Sequence, residues 1–187
     1  MKSERKTLGD WHPPFERTTD SFEERTGEPD NFSCAIGRIV IWFADLEQEI
    51  TNGIHQLLGH DENSSLILTS EMSFKNRVHA LASLIREKSR VRPFNVGSEP
   101  IESALRVLIA RCFQAEELRN KMLHSSWHGP FLADAKSLRR KITAKATRGL
   151  HMTEEEVDAD YLLDIADFIC DVIMLVEEFM IPIDETI

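Results

Sequence analysis

The sequence predicts an all-α fold, an up-and-down bundle of four main helices with a short extended insertion near residues 138–148. Three observations predict it. Apolar residues recur every three or four positions over four long stretches. Prolines punctuate those stretches at 93, 100, 130 and 182, and the one segment with a period of two is short.

Residues 1–29 are polar, mixed in charge and interrupted by His12-Pro13-Pro14, so a flexible N-terminal arm is expected, with Trp11, Phe15 and Phe22 as its large apolar residues. A helical domain is expected over 30–187. Phe32, Ile36, Ile39, Phe43, Leu46, Ile50, Ile54 and Leu57 predict a first helix, capped by Asp30 or Asn31 and stopped at Gly59. Residues 62–70 read as a short, weak helix or turn. Phe74, Val78, Leu81 and Ile85 predict a second clear helix ending before Pro93, with a linker through Gly97 to Pro100.

A third strong helix is expected from about Pro100 to His124, with proline in the first turn, where its missing N–H is harmless. Its stripe is Ile101, Leu105, Leu108, Ile109 and Cys112, and Gly129-Pro130 lies beyond its end. Residues 138–148 then alternate Arg140, Ile142, Ala144 and Ala146 against Lys141, Thr143, Lys145 and Thr147, which suggests a strand or hairpin. Thr153 and Glu156 have the spacing of a capping box, and Val157, Tyr161, Ile165, Phe168, Val172, Val176 and Phe179 predict a last long helix to Pro182.

No apolar run approaches the length needed to cross a bilayer and no secretory leader is evident, so a cytoplasmic protein without a membrane partner is expected. Cys34, Cys112 and Cys170 lie far apart without zinc spacing and read as reduced core thiols. His124, His128 and His151 suggest a metal only weakly, because Gly129-Pro130 breaks the helix and no nearby acid completes the set. No metal and no cofactor are expected.

The net charge of −10 argues against nucleic acid, but its distribution is uneven. Residues 153–187 hold 12 acids and no Lys or Arg, whereas residues 136–148 hold six bases and no acid. Three readings stay open: Arg139, Arg140, Lys141 and Lys145 contact RNA, the strip neutralises the acidic helix, or it is a solvated loop.

The run Arg119-Asn120-Lys121-Met122-Leu123-His124 places a permanent cation, an amide and a titratable imidazole near one helix end. An Arg followed five to seven positions later by His should arise by chance about once or twice here. It occurs twice, from Arg5 and from Arg119, and only the second ends a long amphipathic helix. At about 100° per residue, with Leu105 at zero, Arg119 falls at about −40° and Leu123 at about zero. Arg119 is therefore expected to face inward or into a partner, where an ionised group must be paired or functional. Glu116 is placed to neutralise it, or to orient it for catalysis. His124 falls at about +100°, off the stripe. Either the helix ends near Leu123 and turns His124 back, or the cleft is shared with a second subunit. Asn120, four residues before His124, can reach its ring.

Arg119, Asn120 and His124, within the phrase from Glu116 to Trp127, resemble the signature of the HEPN superfamily: Arg, a polar residue, and His four to six residues beyond the Arg. The resemblance covers about residues 31–181. It implies a metal-independent endoribonuclease of the prokaryotic defence or toxin type, cutting RNA by 2′-OH transesterification at a site shared across a homodimer. One imidazole acts as base and the other as acid, since one His makes one proton transfer at a time. Arg119 clamps the phosphate, Asn120 holds His124 or the phosphate, and Glu116, Ser125 and Ser126 support them. An antitoxin or regulatory protein is a further expected partner. Some HEPN toxins carry a modifiable Tyr two residues after the motif His, where this chain has Ser126. The alternative is a non-catalytic HEPN-like helical protein that binds RNA or nucleotide or serves in regulation.

Overall fold

A computed structural model describes residues 31–59, 62–97, 99–129, 136–145 and 149–184. The expected N-terminal arm lies outside the described residues, as does Asp30. In chain order the elements are α1 (Asn31–Leu58), α2 (Glu62–Ser70), α3 (Phe74–Val91), β1 (Asn95–Val96), β2 (Glu99–Pro100), α4 (Ile101–Leu123), β3 (Ser126–His128), β4 (Ser137–Lys145), β5 (Gly149–Val157) and α5 (Ala159–Asp184). Among the described residues the fold is mainly helical, with a two-stranded and a three-stranded antiparallel sheet.

Local chemistry sets the helix ends. Gly59 has a φ of 61° and donates its N–H to the carbonyl of His55 at 3.2 Å, closing α1 where a side chain would be strained. Ser73 caps α3 by accepting the N–H of Asn76 at 3.3 Å, while Lys88 and Arg90 in the last turn suit the helix dipole. Pro100 stands at the N-cap of α4, one position earlier than the sequence suggested.

The four long helices close a ring of contacts: α1 packs on α3 and α5, and α4 packs on the same two. Ile39, Leu46 and Ile50 of α1, Leu81 and Ile85 of α3, Leu105 and Leu108 of α4, and Leu162, Ile169 and Phe179 of α5 form a dry centre. Burying each contributes about 2 kcal/mol. Phe43 meets Phe74 with ring centroids 4.9 Å apart, joining the middle of α1 to the first residue of α3. Among the described residues, no helix is long and apolar enough to cross a membrane.

The buried seam of α4 runs Leu105, Leu108, Cys112, Ala115 and Met122, and Arg119 fills the slot between the last two. Steps of three and four average 3.5 residues, so the seam drifts about 20° per seven residues around a 3.6-residue helix. That drift corrects the fixed wheel: Met122 is fully buried, whereas Leu123 is only half-buried.

Two further expectations are corrected. The extended insertion is larger than the sequence suggested, because β3, β4 and β5 pair in that order and the last strand runs through 149–157, taking in 154–157 where the start of a helix was expected. Thr153 and Glu156 therefore cap nothing; Asp158 instead accepts the N–H of Tyr161 at 2.9 Å. The strand prevails because it gives three acids cross-strand partners: Lys136–Glu156, Arg139–Glu155 and Arg140–Glu154. Of the thiols, Cys112 is in the core, where burial pushes its pKa up to about 12, but Cys34 is exposed on α1 and Cys170 half-buried.

Candidate functional site

Arg119 points into the bundle from the seam of α4. Its guanidinium carbon lies 5.1 Å from the centroid of the Phe43 ring. Nη1 donates to Oδ1 of Asn120 at 2.9 Å, and Nε is buried without a hydrogen-bond partner. No carboxylate among the described residues is within ion-pair distance of it. Glu116, the expected neutraliser, instead meets Lys75 of α3 at 3.7 Å.

Asn120 was expected to reach the His124 ring; its oxygen faces Arg119 instead. Only the backbone joins the two ends of that turn, with the His124 N–H donating to the Asn120 carbonyl at 3.1 Å. α4 does end at Leu123, and His124 is its C-cap, with φ −96° and ψ 27°. The imidazole is exposed and forms no hydrogen bond with any described residue. The structure thus brings Arg119 and Asn120 together and leaves His124 at the surface one turn on.

The two serines separate. Ser125 Oγ donates to the Lys121 carbonyl at 2.7 Å and accepts from Nη1 of Arg139 at 2.9 Å, so it ties the helix end to the sheet. Ser126 is exposed on β3, opposite Arg140.

The basic strip is largely committed to ion pairs. Arg139 is only 4% exposed and forks onto one oxygen of Glu155, with Nη2 at 2.6 Å and Nε at 3.0 Å. Expected among the RNA contacts, it has its donors turned to Glu155 and Ser125. Lys121 reaches the same carboxylate at 3.0 Å. The hydrogen bond from Lys121, then that from Arg139, hold the Glu155 carboxyl below the usual glutamate value against an opposing effect of burial. Arg140 pairs with Glu154 at 2.7 Å. These partners lie on β5, not on an acidic helix. Lys141 is exposed and forms no ion pair with a described residue; Lys145 ends β4, and its side chain lies outside the described set.

A groove of about 600 Å³ opens beside this arrangement, between the start of α3, the outer face of α4 and β4, with Asn120 and Lys121 in its wall. From sequence Phe43 was read only as part of the α1 stripe, and Lys75 and Glu155 were not singled out. Lys121 sat inside the motif but carried no expected role. Trp127 is a packing anchor: its Nε1 donates to the Met122 carbonyl at 3.1 Å and its ring meets Phe32 edge-on at 5.1 Å. Among the described residues, no three His, Cys, Asp or Glu side chains gather as metal ligands would.

Compared with family models, curated proteins and solved structures, the chain matches none of them.

Proposed function

We propose that the protein is a metal-independent endoribonuclease acting at a site shared by two copies of the chain. The observation that carries this reading is Arg119, a half-buried guanidinium that no described carboxylate neutralises. A cation desolvated without a counter-ion is costly, and a ligand phosphate would supply the missing charge. The His124 imidazole stands little more than one turn away at an open helix end. The ring of four long helices is read here as an up-and-down bundle, in keeping with the resemblance to HEPN proteins.

In this mechanism one His124 takes the proton of a ribose 2′-OH. The 2′-oxygen forms a bond to phosphorus, and the bond from phosphorus to the 5′-oxygen breaks. The leaving oxygen takes a proton from the partner subunit's His124. The products are a 2′,3′-cyclic phosphate and a 5′-hydroxyl. Arg119 stabilises the added charge at phosphorus, and Asn120 holds the guanidinium for that task. Silencing by an antitoxin or regulatory protein belongs to the same proposal, as does a cytoplasmic setting in prokaryotic defence.

The test is incubation with total RNA in EDTA, beside Arg119→Ala and His124→Ala. Cutting by the native chain alone, with cyclic phosphate ends, is the expected outcome. Equal cutting by all three, or none by the native chain, overturns it. A second reading, binding of RNA without cleavage, draws on the His124 ring, which no described residue orients. Retention of RNA without new ends would favour it.

A further inference from the structure

We infer that the groove beside α4 is the track for a single-stranded RNA segment next to the cleaved linkage, an assignment that rests on the ribonuclease reading. Three features argue for it. Lys75, Lys121, Arg139 and Lys141 line the groove with Glu116 and Glu117; Glu155 takes up part of the charge of Lys121 and Arg139, so a small positive excess remains, carried at the surface by Lys75 and Lys141. Lys141 reaches it without an ion pair of its own among the described residues, and Lys75 reaches it from the start of α3. Asn120 forms part of the wall while its oxygen is fixed by Arg119, which leaves its NH2 group to donate to a phosphate or a base edge.

The second feature is aromatic. Phe113 is half-buried in the groove wall, held on edge by His79 with centroids 5.2 Å apart. The Lys75 amine lies 5.6 Å from the same ring, on a side chain 60% exposed and free to yield to a base. An aromatic ring beside amines suits nucleotides that are not already stacked in a duplex. The groove volume, about 600 Å³, admits a nucleotide or two and not a double helix.

The third feature is direction. On the α4 wheel Phe113, Glu117 and His124 fall within about 40° of one another, and Phe113 lies about 16 Å along the axis from His124. A strand bound in the groove and continued past its lining would run toward the end of α4, where His124 stands. Lys75 and Lys141 hold substrate and move no proton.

The experiment uses a fluorescent 2′-O-methyl oligoribonucleotide, which has no nucleophile to be cut, together with the same sequence unmodified. Lys75→Ala/Lys141→Ala is expected to bind the methylated strand at least about tenfold more weakly than the native chain. The slope of log Kd against log salt should fall by about 1.4, near 0.7 for each amine lost. Lys75→Arg/Lys141→Arg should restore binding, and Arg38→Ala/Lys88→Ala, exposed positions outside the groove, should leave it unchanged. Native-like binding by the groove double variant overturns the inference, as does equal competition by polyglutamate or by duplex RNA. Loss of binding in that variant while no chain cuts the unmodified strand upholds the track and defeats the nuclease reading. Cutting with an unchanged KM in that variant does the reverse.

Discussion

Arg119 stacks its guanidinium on Phe43 and gives one N–H to Asn120, the residue beside it in the chain. Both partners are neutral. The cation thus occupies a seam position, between Ala115 and Met122, that every neighbouring slot fills with a small or apolar side chain. An arrangement of this kind lowers stability relative to a hydrophobic residue of similar length.

Arg119→Met is therefore expected to raise the melting temperature by about 2–4 °C, roughly the effect of 1 kcal/mol in a chain of this size, while abolishing RNA cleavage. Thermal unfolding followed by circular dichroism reads the first effect, and a gel assay the second. A lower melting temperature in Arg119→Met would mean that the guanidinium stabilises the fold, and its claim to a phosphate would lose its physical basis.

Arg139 and Glu155 should respond unequally to truncation. Arg139 is buried, whereas the Glu155 side chain is 40% exposed. Glu155→Ala leaves a buried guanidinium without its carboxylate and should cost about 3 kcal/mol. Arg139→Ala leaves a carboxylate that water and Lys121 still reach, and should cost about half as much. Urea midpoints of the two variants decide the order. Equal losses would show that the hairpin depends on packing at Arg139 rather than on its charge.

Acid should act through the same carboxylate. Hydrogen bonds from Lys121 and Arg139 hold Glu155 below its ordinary value, so the folded chain releases this proton more readily than the unfolded chain does. The resulting stability is present above the unfolded glutamate pKa, about 4, and is lost as the pH falls through the lower folded value. Stability of the native chain should thus fall more steeply below about pH 4 than that of Glu155→Gln, which has no proton to gain. Melting curves at stepped pH test this. Parallel acid limbs for the two chains would remove Glu155 as a source of acid sensitivity.

How much of this was readable from sequence depends on the range of the interactions that decide each element. α1 was legible because its apolar spacing and Gly59 are local signals, and the structure keeps both. The inward direction of Arg119 was legible for the same reason, since it follows from spacing along one helix. Its partners were not. Phe43 lies on another helix, and whether Asn120 turns to Arg119 or to His124 is a side-chain choice that spacing leaves open. Residues 153–156 misled because a Thr followed by acids suits a helix start as well as a strand. What favours the strand is Lys136, Arg139 and Arg140, paired across the hairpin from a segment separate in sequence.

The proposed sharing of the site between two copies has a quantitative consequence for stoichiometry. A single His124 stands at the end of each α4, and the proposed reaction needs two imidazoles at one phosphate. His124 is exposed, so His124→Ala should fold with an unchanged melting temperature and mix freely with native chains. If both imidazoles act on every cut, only native–native pairs are active. Cleavage in mixtures held at constant total protein should then fall as the square of the native fraction, to about one quarter in an equal mixture, by the statistics of a symmetric dimer. A linear fall, to about half, would mean that each subunit cuts with its own histidine. The second imidazole would then have no role, and the leaving oxygen would need another proton donor.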